Sequence, residues 1–307
     1  MSDAAANAVI EAALAAGIRY FDTAPHYGFG LSETRLGEAL ERRDVMISTK
    51  VGRRLEPVSA SERERHGFVD AAPFEPVFDY THDGVMRLHS RTACAASGVT
   101  GSTCCWLTTW GSSTHGDAHV DHMRDFLEGG CRAMCALKDS GAVGAIGLGV
   151  NEQAVCEEVL DHADVDVFLL AGRYTLLEQT ALESFPPRCV ARGVGSSWAV
   201  RSTRARWSRR VGRCTTTTPP RRLKSSSGWG ACVGSAPRMG PLAAAALQFP
   251  LAHPAVRSVV PGMATVAQVV DATHWSSLAI PDALWSDLRS SGLIRADAPI
   301  PVSKVAA

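Results

Sequence analysis

Short apolar runs alternate with longer segments of helical periodicity along most of the 307-residue chain. The periodicity predicts helices at 4–16, 32–42, 120–140, 151–162, 176–184, 241–249 and 265–274, and strands at 18–22, 45–49, 142–148, 165–170 and 256–261. Strands that alternate with helices indicate right-handed βαβ units and a parallel sheet, and this many units favours a closed barrel over an open sheet. The predicted fold is therefore α/β, a (β/α)8 TIM barrel that forms a single domain over 1–307.

Two windows depart from this alternation, at about 88–112 and 196–240. Small residues, Cys and Trp dominate the first, and Arg, Ser and Thr are dense in the second. Neither window shows helical or strand periodicity, so we expect the barrel to be irregular and poorly packed there. An Arg-rich segment of low complexity is also typical of a nucleic-acid-binding tail, which is the less favoured interpretation of the second window.

Polar residues stand where two of the predicted strands end. Asp22 follows the first apolar run, Tyr27 comes five residues later, and Lys50 ends the second run. In a barrel of this kind the chemistry lies at the carboxyl ends of the strands. An ammonium beside a phenol stabilises the phenolate, so these three residues together predict a proton-transfer site.

Composition and charge exclude several kinds of binding partner for this protein. The chain has 31 basic and 31 acidic residues, which argues against a nucleic-acid or membrane-surface protein. We expect a cytoplasmic protein, since the first residues lack a basic signal-peptide region and the sequence has no apolar stretch long enough to cross a bilayer. Nine cysteines at irregular spacing indicate neither a disulfide framework nor a metal site. Nothing in the sequence indicates an oligomeric state.

Four segments carry a family resemblance: GIRYFDTAPHYG, STK, AIGLGVNE and SVVPG. Together they resemble the aldo-keto reductases, nicotinamide-dependent (β/α)8 barrels, over residues 5–87, 113–195 and 241–300. The segments FLLAGRYTLLEQ and GLGVNE are most similar to the branch of sugar (L-fucose and D-threo-aldose) and pyridoxal dehydrogenases. Members of the family normally have a β-hairpin and a first barrel strand ahead of the helix found here at residue 4. We therefore expect a barrel that is incomplete at the N-terminus, with seven or fewer good strands.

The resemblance implies roles for the residues at the strand ends. Tyr27 would be the general acid in reduction and the general base in oxidation, Lys50 would tune its phenol, and Asp22 would hold Lys50 in place. His26 would line the substrate mouth, although a surface histidine is an equally good interpretation. The catalytic histidine of the family has no in-frame counterpart, because Leu107 and Thr108 occupy its place; His115 is better explained as a loop residue than as a substitute.

The resemblance also implies a nicotinamide site. Asn151 would bind the carboxamide, and the turn from Gly262 to Thr265 would bind a phosphate at the start of a helix. NADP-preferring members often have a basic residue in that turn, whereas this chain has Met263 and Ala264. The resemblance therefore favours NAD, with NADP possible.

The two irregular windows have a genetic explanation. Back-translated with GC-rich codons and read in a shifted frame, the first yields a strand and a histidine, and the second a strand and a loop resembling the family's pyrophosphate loop. We hypothesise compensated frameshifts in the gene or its sequencing, which resequencing the locus would test. The expected function is NAD(P)-dependent oxidation of an aldose hemiacetal or a related small polar aldehyde or alcohol; the alternatives are a pyridoxal 4-dehydrogenase, and an inactive nucleotide-binding barrel or damaged gene product.

Overall fold

A computed structural model describes residues 1–59, 72–87, 103–108, 111–200 and 239–301. Within these residues, seven parallel strands form one sheet in the order β1, β2, β5, β6, β7, β8 and β9. Their bounds are β1 Tyr20–Asp22, β2 Met46–Val51, β5 Thr103–Thr108, β6 Ala145–Val150, β7 Val167–Ala171, β8 Gly195–Val200 and β9 Val256–Pro261. The sheet curls into a nearly closed barrel, which confirms the predicted fold class.

An antiparallel hairpin stands outside the barrel sheet. Its strands are β3 (Arg53–Pro57) and β4 (Phe74–Phe78), and β3 begins two residues after β2 ends. The sequence analysis did not predict this hairpin. Because it follows β2 directly, it lies at the carboxyl end of the barrel strands.

Helices alternate with the strands, as the periodicity predicts. They are α1 (Asp3–Ala15), α2 (Leu31–Ala39), α3 (82–87), α4 (Ser112–His115), α5 (His119–Asp125), α6 (Cys131–Asp139), α7 (Gln153–His162), α8 (Phe185–Arg192), α9 (Met239–Gln248), α10 (Val266–Ser277) and α11 (Asp282–Ser290). A π-helical turn, Phe126–Gly130, joins α5 to α6. The barrel strands β1 and β9 form the two edges of the sheet, and α1 packs against α10 across the opening between them.

Alternation along the strands divides the buried residues into two layers. Ile146, Leu148 and Val150 of β6 face outward into the main hydrophobic core between sheet and helices. A second cluster contains Cys104, Trp106 and Leu169, packed with Ala145, Val167, Ala199 and Val260. Since these residues alternate with the outward-facing ones, this second cluster fills the barrel interior.

The expectation of irregularity is wrong for parts of both windows. Thr103–Thr108 pairs with β2 on one side and β6 on the other, and Gly195–Val200 pairs with β7 and β9. Backbone hydrogen bonds from two neighbouring strands therefore stabilise segments that lack a strand-like pattern of their own. The rest of each window, 88–102, 109–110 and 201–238, lies outside the described residues, as does the predicted pyrophosphate loop.

Several predicted boundaries shift. The strand predicted at 142–148 begins at Ala145, and the helix predicted at 176–184 is wrong: a 3-10 turn, Thr180–Glu183, precedes the helix that starts at Phe185. Pro186 and Pro187 explain this start, because proline fits the first turn of a helix but not its interior. Helix α11 was not predicted. None of the described helices has the length and apolarity to span a membrane.

Candidate active site

A buried ion pair occupies the carboxyl ends of β1 and β2. The Lys50 ammonium donates to Asp22 Oδ2 at 2.7 Å and to the Thr23 carbonyl oxygen at 2.8 Å. The two side chains retain only 5% and 8% of their exposure, so neither charge can exchange its partner for water. A pair this buried is stable only when further hydrogen bonds satisfy the remaining polar atoms.

Those further hydrogen bonds come from the barrel interior. Ser48, which has no exposed surface, donates to Asp22 Oδ1 at 2.6 Å. The Tyr20 hydroxyl lies 2.9 Å from the Ser48 hydroxyl, and burial raises the pKa of Tyr20 above its usual range. Tyr20 is therefore a neutral phenol, and the chain Tyr20, Ser48, Asp22 and Lys50 fixes which carboxylate oxygen faces the ammonium.

Tyr27 lies beside this network on the loop that follows β1. Its ring centroid is 5.0 Å from Lys50 Nζ, and the residue is 39% exposed. The loop is closed by hydrogen bonds from the Tyr27 amide to Ala24 and from the Gly30 amide to Pro25. The structure thus brings Asp22, Tyr27 and Lys50 together, with the phenol on the solvent side.

Phe29 anchors the loop that carries Tyr27. It has a φ of 54°, a left-handed conformation that is unfavourable for a non-glycine residue, yet it is only 1% exposed. Burial of its ring against Leu55 of the hairpin stabilises this conformation. The hairpin therefore helps to hold Tyr27 in place.

Gly149 of β6 provides room for the lysine. A Cβ atom at this position would lie 3.3 Å from Lys50 Cε and 3.3 Å from Trp106 Cβ. Any larger residue would press on both side chains in a packed interior. Glycine at this position therefore allows Lys50 and Trp106 to lie side by side.

Thr108 ends β5 at the position where the resemblance places a catalytic histidine. Leu107 belongs to the outer core, so by alternation Thr108 faces the barrel interior with Trp106. Its hydroxyl donates to the Gly149 carbonyl oxygen at 3.2 Å. Of the two residues named for this place, Thr108 is the one on the inner face.

The two histidines considered for the site have other surroundings. The His26 ring packs against Phe29 with centroids 5.5 Å apart, next to Tyr27. His115 lies on α4, where its Nε2 is 2.8 Å from the Tyr80 hydroxyl. Because Tyr80 is fully buried in the outer core, His115 is directed away from the barrel interior.

The residues expected to hold a nicotinamide lie at the same end of the barrel. Asn151 directly follows β6 and is exposed, and its carbonyl oxygen accepts a 2.8 Å hydrogen bond from Arg173 Nε. Thr265 caps α10 by accepting a hydrogen bond from the Gln268 amide, while Gln268 Oε1 accepts from the Ala264 amide.

The start of α10 fits a phosphate group. A Cβ at Gly262 would meet no atom within 4 Å, so the turn is open. In the described part of the chain, the amides of Val266 and Ala267 have no hydrogen-bond acceptor, as is usual for the first turn of a helix. Free amides and the positive end of the helix dipole suit an anionic oxygen, so the residues of this turn fit a phosphate of a nicotinamide dinucleotide.

Metal chemistry has no support in the described residues, where no group of three His, Cys, Asp or Glu side chains is placed to hold an ion. Cys131 and Cys135 lie one turn apart on α6, and burial, helped by Cys135, raises the pKa of Cys131 to about 11. Cys131 is therefore a neutral thiol.

Ser48 and Tyr20 were not identified from the sequence. A signal was present, since residues 20, 22, 48 and 50 alternate along two adjacent strands and so face the same side. What could not be read was the pairing register, which places Tyr20 opposite Met46 and Asp22 opposite Ser48.

Comparison with known proteins agrees with this geometry. The sequence profile of the aldo/keto reductase family matches residues 1–72. A pyridoxal 4-dehydrogenase from Microbacterium luteolum and a D-threo-aldose 1-dehydrogenase from a Pseudomonas species are each 35% identical, over 96% of this chain and 90% of theirs. An aldo-keto reductase from Bacillus halodurans, solved in its holo form, superposes with a TM-score of 0.68 at 20% identity, covering 94% of this chain and 88% of that one. The chain belongs to the aldo/keto reductase family and is by that membership an NAD(P)-dependent oxidoreductase.

Proposed function

We propose that the chain oxidises the hemiacetal carbon of an aldose, or a related small polar alcohol or aldehyde, with Tyr27 as the proton-transfer group. The observation that carries this proposal is the position of the Tyr27 ring, 5.0 Å from an ammonium that a buried carboxylate holds in place. The nicotinamide supplies hydride acceptance in oxidation and hydride donation in reduction.

Tyr27 removes the hydroxyl proton of the substrate during oxidation and returns it during reduction. The Lys50 ammonium stabilises the phenolate form, because it lies close to the ring and is shielded from water. Asp22 and Ser48 keep that ammonium in one position, so no reorganisation is needed when the charge on Tyr27 changes.

Thr108 replaces the expected histidine at the inner end of β5. Threonine has no imidazole N–H, and its hydroxyl donates to the Gly149 carbonyl oxygen instead of to the substrate oxygen. Tyr27 would then orient the substrate oxygen without a second donor from β5. We therefore expect turnover to be slow for an enzyme of this type.

The two relatives support different substrates for this chain. One is a D-threo-aldose 1-dehydrogenase and the other a pyridoxal 4-dehydrogenase, at equal identity. We favour an aldose because the family resemblance of GLGVNE and FLLAGRYTLLEQ includes the sugar dehydrogenases. Oxidation of pyridoxal is the second candidate.

We infer NAD as the preferred cofactor. The turn before α10 has Met263 and Ala264, and neither side chain can pair with a 2'-phosphate. Asn151 is proposed to bind the carboxamide, and Gly262 and Thr265 to frame the phosphate site; His26 is proposed to line the substrate mouth. A fluorescence titration with NADH and with NADPH tests this preference, which tighter binding of NADPH would contradict.

One experiment tests the reaction. Purified chain is assayed for NAD-dependent oxidation of L-fucose and of pyridoxal, before and after Tyr27→Phe. We expect the substitution to lower kcat by about a thousandfold, since it removes the proton-transfer group and leaves the ring in place. NADH binding should not change.

Tyr174→Phe is the matched control, because it removes a phenol hydroxyl from the outer core, where Tyr174 packs on Trp198 and Phe249. Equal loss in both variants would overturn the role of Tyr27. Binding of NADH without turnover in the unmodified chain would instead indicate the inactive nucleotide-binding barrel.

A further inference from the structure

A half-buried guanidinium without a counter-ion among the described residues lies at the carboxyl end of the barrel. Arg53 begins β3, three residues after Lys50, and its Cζ lies 4.6 Å from the centroid of the Phe78 ring. In the part of the chain that the structure describes, its Nε is buried and has no hydrogen-bond partner, as is also true of Arg54 Nε. Among the described residues, Arg53 forms no salt bridge, although its neighbour Arg54 pairs with Glu56 and with Asp79.

The register of the hairpin explains this difference. Arg53 is paired with Phe78 across the two strands, so the two side chains lie on one face, whereas Arg54 lies on the other. The face of Arg53 is directed to an aromatic cluster and the face of Arg54 to carboxylates. The two adjacent arginines therefore differ in whether a described carboxylate lies beside them.

Histidines surround the aromatic platform of Arg53. The His115 ring lies edge-on to Phe78 with centroids 4.5 Å apart, and His122 lies 4.3 Å from His115. Tyr80 joins them, with its hydroxyl 2.8 Å from His115 Nε2 and 3.4 Å from the Thr108 carbonyl oxygen. The cluster thus extends from the end of β2 to the end of β5.

Gly52 makes this arrangement possible. It has a φ of 91°, and a Cβ there would lie 2.6 Å from Tyr80 Cε1. Only glycine allows the Tyr80 ring to pack on the turn that leads from Lys50 to Arg53. The cluster therefore packs on the turn that follows β2, the strand that carries Lys50.

The electrostatic state of Arg53 is unfavourable as it stands. Burial lowers the pKa of Arg53. Burial also raises the pKa of the Tyr80 phenol, which stays neutral and supplies no counter-charge. A desolvated cation without a counter-ion raises the free energy of the folded state. An anion that bound there would remove this penalty and gain a charge-assisted hydrogen bond.

We propose that Arg53, stacked on Phe78 beside His115 and His122, is a binding site for an oxyanion, the phosphate or carboxylate group of a small molecule. The planar guanidinium presents its outer N–H groups to such a ligand while Phe78 holds its face. The site does not depend on the proposed reaction, because binding at Arg53 needs neither hydride nor proton transfer.

Titration calorimetry with inorganic phosphate and with acetate, at constant ionic strength, tests the proposal on the full chain. We expect saturable binding of at least one of them, weakened about tenfold or more by Arg53→Met, since a hydrogen bond to a charged group is lost. The preferred probe distinguishes a phosphate ligand from a carboxylate ligand.

Arg54→Met is the matched control, because it removes the same charge one residue away; we expect it to change the affinity less than about twofold. Arg53→Lys keeps the charge without the planar fork and should bind with intermediate affinity, which also guards against misfolding of the methionine variant. The proposal is wrong if neither probe binds, if Arg53→Met and Arg53→Lys bind as tightly as the unmodified chain, or if Arg54→Met loses as much affinity as Arg53→Met.

Discussion

Strands β2 and β5 are neighbours in the barrel, and they contribute to its interior in opposite ways. Ser48 of β2 is paired with Cys104 of β5, and Lys50 with Trp106. The two inward-facing polar residues of β2, Ser48 and Lys50, are hydrogen-bonded to Asp22, Tyr20 and the Thr23 carbonyl. On β5, the buried indole N–H of Trp106 has no hydrogen-bond partner of ordinary geometry among the described residues.

This difference shows that neighbouring strands of one barrel can have separate roles: β2 supplies polar groups for the reaction, and β5 fills the interior. Hydrogen bonds to Asp22 and to the Thr23 carbonyl take the place of water around the lysine of β2. Trp106 of β5 fills the space that Gly147 and Gly149 leave open, with a Cβ at Gly149 lying 3.3 Å from its own. Both strands pair through their backbones in the same sheet. The inward side chains of β2 need hydrogen-bond partners, whereas Trp106 of β5 needs space.

The largest expected effect comes from removing the buried charge of β2. Lys50→Met should lower kcat about a thousandfold, because Tyr27 loses the charge that stabilises its phenolate. It should also lower the free energy of unfolding by about 3–5 kcal/mol, since Asp22 remains buried without its partner. Steady-state kinetics and urea unfolding measure the two effects.

The double variant Asp22→Asn with Lys50→Met separates them. Removing both charges should restore most of the lost stability without restoring turnover. A double variant as unstable as Lys50→Met alone would contradict the ion-pair explanation.

Thiol reactivity tests whether β5 is as well ordered as β2. Cys104 and Cys105 are buried, and burial raises the pKa of both thiols, that of Cys105 to about 12. At pH 8 we expect iodoacetamide to modify them about a hundredfold more slowly in the folded chain than in urea. Peptide mass spectrometry gives the rates, with half-buried Cys135 as the faster-reacting internal control; equal rates at all three positions would mean that β5 is not formed.

The same thiols give the folded chain a pH dependence. Their pKa values are higher in the folded state than in the unfolded chain, so the folded state holds its protons more tightly. The resulting stability is complete below about pH 8.5 and declines as the pH rises towards 12. Urea unfolding at pH 8 and pH 10 should show a lower free energy at the higher pH.

The comparison also explains what the sequence could reveal. The apolar runs before Asp22 and Lys50 were strong enough to predict both strands, and the family resemblance implied that the two residues pair. In TCCWLT no alternation is visible, because Cys and Thr are poor reporters of an inner or outer face. The structure of β5 depends on its pairing with β2 and β6, which no local pattern records.

Some residues of the candidate site could likewise be predicted from the sequence and others could not. Asp22, Tyr27 and Lys50 were predicted because polar residues at strand ends are conspicuous. Ser48 and Tyr20 look like ordinary strand residues until the register of β1 and β2 brings them to Asp22. The hairpin with Arg53 was missed because its strands are five residues each and are separated by 58–73, a connection longer than a hairpin signal covers.

A hydrogen-bond donor introduced on β5 tests whether this strand can also contribute to the reaction. Thr108→His places an imidazole on the inner face at the strand end, where it can donate to the substrate oxygen. We expect kcat/KM for the preferred substrate to rise about tenfold, less than a native donor gives because the surroundings are not adapted to it. Thr108→Leu, which adds bulk without a donor, is the control; a histidine variant no more active than the leucine variant would contradict the assigned position.

The smallest expected effect compares the two buried tryptophans. Trp198 of β8 and Trp106 are each 1% exposed, but Trp198 Nε1 donates to the Ser196 hydroxyl at 3.0 Å. Phenylalanine at either position removes the same atoms, so the difference between the two variants reports mainly on this hydrogen bond. Trp198→Phe should be less stable than Trp106→Phe by about 1 kcal/mol, roughly a fivefold difference in the unfolding equilibrium. If urea unfolding gave the larger loss for Trp106→Phe, its indole N–H would be better satisfied than the geometry of β5 allows, and the contrast between the two strands would fail at this position.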